Sequence, residues 1–253
     1  MKRALVVGAS HSLGAHLARG LSESGWAVVG TGRRPAGEVP YAHTFDYVHL
    51  DLSVPGQLKP FLDRQDEGYD LIVHNAVSYG RTYRGQGTGE PDLAELETLF
   101  RVNALVPYQL LHDLLAARPA GRFCSCVVVN SDAIYHANRR SGPYAASKAA
   151  LRVLTTALAD TFRSGGASVS TLLLGPLPDP QKLTDLGRLA ERHSTGTAEV
   201  TRAYLRKAHP SYVIDELIDF EACLRSVEYL AGLGRAANGM VCRLDGGSSG
   251  SLL

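Results

Sequence analysis

Residues 4–14 read ALVVGASHSLG, an apolar run closed by Gly8 and followed six positions later by Gly14. The run ALVVG (4–8) has the length and composition of a buried strand. Beyond it, Leu13, Leu17, Ala18 and Leu21 recur at helical spacing across 13–23. A glycine between strand and helix permits a tight turn. The helix start offers free N–H groups and a positive dipole to an anion such as a pyrophosphate. Gly8, Ser10, His11, Ser12, Leu13 and Gly14 are therefore candidate contacts for a phosphate group.

The same alternation continues outward. WAVVG (26–30), YVHLDL (47–52), DLIVHNA (70–76), RFCSCVVVN (122–130), SVSTLLLG (168–175) and GMVCRL (239–244) complete seven strand candidates. Helical patterns fit 92–117, 143–164 and 213–232. Continuous apolar strands separated by helices imply a parallel sheet covered on both faces. The expected fold is a single-domain, doubly wound α/β structure of Rossmann type with seven parallel strands, spanning 1–247 and followed by a tail, 248–253. The link between the second and third strands is short, so its helix is expected to be reduced or absent. Residues 79–91 are glycine-rich and polar and read as a mobile surface loop. Residues 176–212, opening with PLPDP, exceed what a connection needs and read as a loop or lid.

Composition narrows the function. The chain has 253 residues, 45% apolar and 20% charged, with 26 basic and 25 acidic groups. That balance gives no electrostatic reason to expect a nucleic-acid or membrane partner. The start, MKRALVVGAS, lacks a signal-peptide core, and no apolar run approaches membrane-spanning length, so a cytoplasmic location is expected. Cys124 and Cys126 alternate on one face of a buried strand, and the four cysteines lack the spacing and histidine partners of a zinc site. No metal is expected.

The end of the second strand speaks to cofactor choice. A site for NAD normally carries an acid here to hold the ribose hydroxyls, whereas this chain has Gly32 followed by Arg33 and Arg34. Paired guanidinium groups suit a 2′-phosphate, which favours NADP(H). Further along, Tyr144 and Lys148 begin a helical pattern four residues apart and so share one face. An ammonium beside a phenol is expected to lower the phenol's pKa towards neutrality and make it a usable acid or base. Ser131 follows the apolar strand thirteen positions earlier, at the edge where α/β sites form. Asn103 lies inside a long helical pattern, where it is unfavourable unless its amide serves a partner or a kink.

Together these residues resemble the short-chain dehydrogenase/reductase family over about residues 3–247, as a divergent member. Tyr144-x-x-x-Lys148, Ser131 and Asn103 resemble its catalytic tetrad. Asp51-Leu52-Ser53 resembles the turn that contacts adenine, and His74-Asn75-Ala76-Val77 the family's NNAG element. Leu174-Gly175-Pro176-Leu177 resembles its PG motif, and Asn238-Gly239 with Asp245-Gly246-Gly247 its carboxyl-terminal signature. The resemblance adds Asp51, Leu52, Asn75, Ala76, Gly175, Pro176 and Leu177 to the cofactor contacts, with Tyr144 and Lys148. It implies hydride exchange between NADP(H) and a ketone, aldehyde or alcohol on a small or medium metabolite, in the reducing direction. In that scheme Ser131 polarises the oxygen, Tyr144 passes the proton, Lys148 holds the nicotinamide ribose and Asn103 supports a water relay. Tyr135, His136 and Tyr204 are candidate substrate contacts.

Ser12, Val77, Leu174 and Asp179 depart from the family pattern, which points to a rebuilt substrate side. A homodimer or homotetramer through the helices at 92–117 and 143–164 is also implied. Two other readings fit the same frame: a redox-neutral epimerase or dehydratase, and a non-catalytic NADP(H)-sensing protein.

Overall fold

Seven strands form one parallel sheet in the order β3-β2-β1-β4-β5-β6-β7. They are β1 (Arg3–Val7), β2 (Ala27–Gly32), β3 (Asp46–His49), β4 (Leu71–His74), β5 (Cys124–Ser131), β6 (Ala167–Leu174) and β7 (Val241–Leu244). The computed structural model describes residues 1–65, 67–83 and 92–250. Strand order reverses between β1 and β4, leaving a crevice at their carboxyl ends where ligands bind in open α/β sheets.

Alternation along the strands builds two cores. Ala4 and Val6 of β1 join Val127 and Val129 of β5 on one face, packed with α1 (Ser12–Glu23). Leu5 and Val7 join Cys124, Cys126 and Val128 on the other. Both cysteines therefore share a face, buried and reduced, and burial pushes the Cys124 thiol up to about 12.

The connections show where local pattern and tertiary structure part. Only a single turn, Ala36–Glu38, lies between β2 and β3, and a short α2 (Leu58–Leu62) precedes β4. The expected loop at 79–91 opens instead with a helical turn, α3 (Gly80–Tyr83); its residues 84–91 lie outside the described residues. The expected helix at 92–117 is three pieces: α4 (Leu93–Phe100), one turn of π-helix (Arg101–Leu105) and α5 (Val106–Ala116). After α6 (Gly142–Thr161) and β6, the long excursion holds two helices, α7 (Pro180–His193) and α8 (Thr197–Ala208). They bury Leu186, Ala190 and Val200 in a small core of their own. The helix expected from 213 is confined to α9 (Phe220–Gly232), because Asp219 caps its amide end and Val213 N–H bonds the Gly246 carbonyl.

Candidate active site

The turn between β1 and α1 is packed to the limit of what glycine allows. Gly8 has φ +93°, and a Cβ on it would stand 2.6 Å from the Ala76 backbone. A Cβ on Gly14 would collide with the Gly8 carbonyl and the Asn75 amide, which itself donates to Gly8 O at 3.2 Å. Gly8, Gly14, Asn75 and Ala76, far apart in sequence, thus form one cradle. Ser12, where the family pattern has glycine, keeps the left-handed conformation (φ +52°). An L-residue holds that conformation at a cost of about 1–2 kcal/mol. Leu13 is buried under the turn, His11 is exposed, and the Ser10 hydroxyl lies 3.1 Å from His11 Nδ1.

At the end of β2, a Cβ on Gly32 would lie 2.6 Å from the Tyr47 hydroxyl and 3.0 Å from Ser10 Cβ. The space a ribose-binding acid would need is occupied. Tyr47 donates to the Arg34 carbonyl at 2.9 Å, and His49 Nε2 lies 3.0 Å from the Arg33 carbonyl. These contacts pin the backbone of two exposed arginines. Arg33 lines a cavity of about 390 Å³ with Val77, Ser78 and Arg81. Asp51 is engaged locally: its Oδ1 accepts from the Ser53 amide and hydroxyl at 2.9 and 2.7 Å. Leu52 and Pro176 are buried and Leu177 half-buried, while a Cβ on Gly175 would meet the Asp245 backbone at 2.8 Å. A larger cavity of about 650 Å³ lies beside the Asp51–Leu52 turn and Leu105; Asn103, Ser131, Tyr144 and Lys148 do not line it.

The four proton-handling candidates meet at the carboxyl ends of β4 and β5. Ser131 ends β5, and its Oγ accepts from the Ala133 amide at 3.2 Å. Tyr144 and Lys148 lie one turn apart near the start of α6, both buried. The Asn130 side chain donates to the Lys148 carbonyl at 3.1 Å and fastens that helix to β5. Asn103 sits in the π turn with its amide fully engaged. Oδ1 accepts from Ser78 N–H at 2.7 Å, and Nδ2 donates to Ser78 O at 2.7 Å and Ser147 Oγ at 2.9 Å. It has both the partner and the kink its helical setting required. With no side-chain donor to spare, its part is to hold that turn against the β4 crossover.

The expected Tyr–Lys coupling is not what the structure builds. Lys148 Nζ donates to the Val129 carbonyl at 2.9 Å, and burial pulls its pKa down to about 7. Burial pushes the Tyr144 phenol well above its usual 10, with Tyr79, Tyr83 and Asp132 adding to it and the Ser131 hydrogen bond opposing. The phenol is thus a protonated acid, and the pKa lowering expected from Lys148 is absent. Physically, a lysine that burial leaves only partly protonated near pH 7, with its Nζ turned to a backbone carbonyl, does not offset the desolvation of the phenol.

Sequence reasoning missed several neighbours. Tyr79 and Tyr83 pack against Tyr144, with ring centroids 5.2 and 5.1 Å away. His74 is fully buried beside Lys148, and burial with that ammonium pushes its pKa down to about 3; neither ring nitrogen has a hydrogen-bond partner among the described residues. Of the suggested substrate contacts, Tyr135 is exposed, whereas His136 and Tyr204 are half-buried near His209. Tyrosines and histidines in mixed surroundings give no periodic signal, so only the fold collects them.

Comparison with known proteins agrees with this architecture. Over 97% of its length the chain is 24% identical to a Bacillus subtilis protein named "Uncharacterized oxidoreductase YvaG", of which it covers 95%. A short chain dehydrogenase family protein from Francisella tularensis superposes with TM-score 0.79 at 18% identity, covering 98% of this chain and 99% of that one. An actinorhodin polyketide ketoreductase solved with NADPH gives TM-score 0.79 at 20% identity, covering 99% and 98%. The family model for short chain dehydrogenase matches residues 2–181, a span that takes in the glycine cradle, the π turn and the Ser131–Tyr144–Lys148 cluster. The chain therefore belongs to the short-chain dehydrogenase family of oxidoreductases.

Proposed function

We propose that the chain is an NADP(H)-dependent reductase that converts a ketone or aldehyde on a small or medium metabolite to the alcohol. The observation that carries this reading is the Tyr144 phenol, kept protonated by burial and hydrogen-bonded to Ser131 at the carboxyl edge of the sheet. Gly8 and Gly14 let the turn close against Ala76, Asn75 and the Gly8 carbonyl, which brings the amino end of α1 to the carboxyl ends of β1 and β4, where a dinucleotide would sit. Gly8, Ser10, Ser12, Leu13 and Gly14 would hold its pyrophosphate, Asn75, Ala76 and Gly175 to Leu177 its flanks, and Asp51 with Leu52 the adenine. When bound, the cofactor supplies the hydride.

The chain's own groups then manage the oxygen. Ser131 Oγ donates a hydrogen bond to the carbonyl oxygen, and Tyr144 Oη delivers its proton there as negative charge develops. Lys148 Nζ, which donates to the Val129 carbonyl, would hold the nicotinamide ribose. Asn103 keeps the π turn in register. A phenol that begins protonated favours reduction over oxidation, since oxidation needs the phenolate.

The NADP(H) preference rests on Arg33 and Arg34 and on the Tyr47 hydroxyl filling the position of a ribose-binding acid. The NADPH carried by the similar ketoreductase agrees with it. Arg33→Ala and Arg34→Ala are each expected to lower kcat/KM for NADPH about tenfold or more, leaving NADH nearly unchanged, since a hydrogen bond to a charged group contributes about 1.5–3 kcal/mol. Initial rates with both cofactors across a carbonyl panel test this. A wild-type preference for NADH would sink the cofactor reading, and tight cofactor retention without turnover would favour the sensor alternative.

Leu105 at the end of the π turn and Val153 on α6 are 58% and 69% exposed, apolar side chains on the two long helical segments. We infer a homodimer or homotetramer built on them; light scattering that returns a monomer would contradict it. All four cysteines are free, which suits a reducing cytoplasm. Among the described residues no helix is long and apolar enough to cross a membrane.

A further inference from the structure

We propose that Asp132, His136 and His209 form a binding site for one divalent transition-metal ion, zinc by the chemistry of the donors. The three residues come from separate parts of the fold. Asp132 directly follows Ser131 in the turn Asp132–Tyr135, His136 closes that turn, and His209 closes α8. One donor atom from each lies within 4.8 Å of the others. His136 Nε2 is 3.3 Å and His209 Nδ1 3.6 Å from Asp132 Oδ2. Two zinc–ligand bonds of about 2.0–2.1 Å at a tetrahedral angle separate their donors by about 3.3–3.4 Å. The two edges that meet at Asp132 Oδ2 are therefore already close to those of a zinc coordination shell, and the third is within 4.8 Å.

Two further observations favour a metal over a simple hydrogen-bonded cluster. Both histidine nitrogens are buried and neither makes a hydrogen bond of full geometry among the described residues; His209 Nδ1, at 3.6 Å, is too far from the carboxylate for one. The two rings meet edge-on, 81° apart with centroids at 5.0 Å, and one donor atom of each lies within 4.8 Å of the other and of the carboxylate. The carboxylate is fixed by the Ser248 hydroxyl, which donates to the same Oδ2 that faces the two histidines, and by the Ser131 hydroxyl donating to Oδ1 at 3.4 Å. Two imidazoles and one carboxylate select zinc over magnesium or calcium. Three protein ligands leave one coordination position open. Lys182, paired with Asp179 at 4.0 Å, is the opposing charge near the cluster.

A bound ion would clip the α7–α8 excursion to the end of β5, immediately beside Ser131. This proposal does not depend on the redox reading above. The test is calorimetric titration of the full-length chain with zinc chloride after chelator treatment and dialysis. One ion per chain with submicromolar Kd is expected, weakened about 100-fold by His136→Gln or His209→Gln and tightened by Lys182→Met. Absence of saturable one-site binding, or unchanged affinity in both histidine variants, would overturn it. Should those variants fail to fold, melting of the parent chain decides: a rise in Tm with zinc and none with magnesium supports the site, and no rise with zinc refutes it.

Discussion

Replacing Tyr144 by phenylalanine is expected to lower kcat/KM for carbonyl reduction about 10²–10⁴-fold while leaving the Kd for NADPH within about threefold of wild type. The split follows from where the side chain sits. The ring is 5% exposed and packed against Tyr79 and Tyr83, contacts that phenylalanine preserves. Only the hydroxyl is lost, and with it the proton given to the nascent alkoxide. Because burial keeps that phenol protonated above pH 10, the wild-type reduction rate should not fall through loss of this proton between pH 6 and about pH 10. The reverse reaction should climb with pH over the same range. Steady-state rates and fluorescence titration of NADPH check both parts. A variant retaining more than about a tenth of wild-type activity would remove Tyr144 as the acid.

The second large effect concerns stability as well as catalysis. Lys148→Met should abolish turnover yet make the ligand-free chain more stable at pH 7. Lys148 is 3% exposed, and burial lowers its pKa from 10.5 to about 7. Between those values the unfolded chain binds more protons at this position than the folded chain, so stability rises with pH across that window. Below about pH 7 the full cost of burying the ammonium applies, and by about pH 10.5 it has vanished. A shift of this size corresponds to an upper bound of about 4–5 kcal/mol. With the Val129 hydrogen bond lost in the variant, a net gain of about 2–3 kcal/mol is expected, or roughly 5 °C or more in Tm for a chain of this length. The gain should shrink steadily as pH is raised to 10. Thermal melts of both proteins at pH 7 and pH 10 measure it. A variant less stable than wild type at pH 7 would show that Lys148 is charged and well solvated by its surroundings.

How much was legible beforehand differs by element. All seven strands lie within a few residues of their expected positions, because a buried parallel strand writes itself as an unbroken apolar run. The cradle was legible in its glycines, and the Tyr144–Lys148 pair in its helical spacing. The internal break in the helix at 92–117 was foreshadowed by Asn103, but its π geometry arises from bonds to Ser78 and Ser147, the latter 44 residues away. The α7–α8 pair was read as loop because each helix buries only two residues and their apolar stripes are short.

Sequence by itself determined the sheet, its parallel order of elements, the place of the phosphate turn and the identities of the four proton-handling candidates. These depend on local periodicity and on motifs confined to a few residues. The tertiary structure alone decided the electrostatics and the company those residues keep. It turned Lys148 to a backbone carbonyl, left Tyr144 a protonated acid between two other tyrosines, and buried His74 with no hydrogen-bond partner among the described residues. It also brought Ser248 to Asp132 across 116 residues and closed His136 and His209 around the same carboxylate. Desolvation and side-chain convergence depend on the packing of distant segments, and no spacing along the chain encodes them.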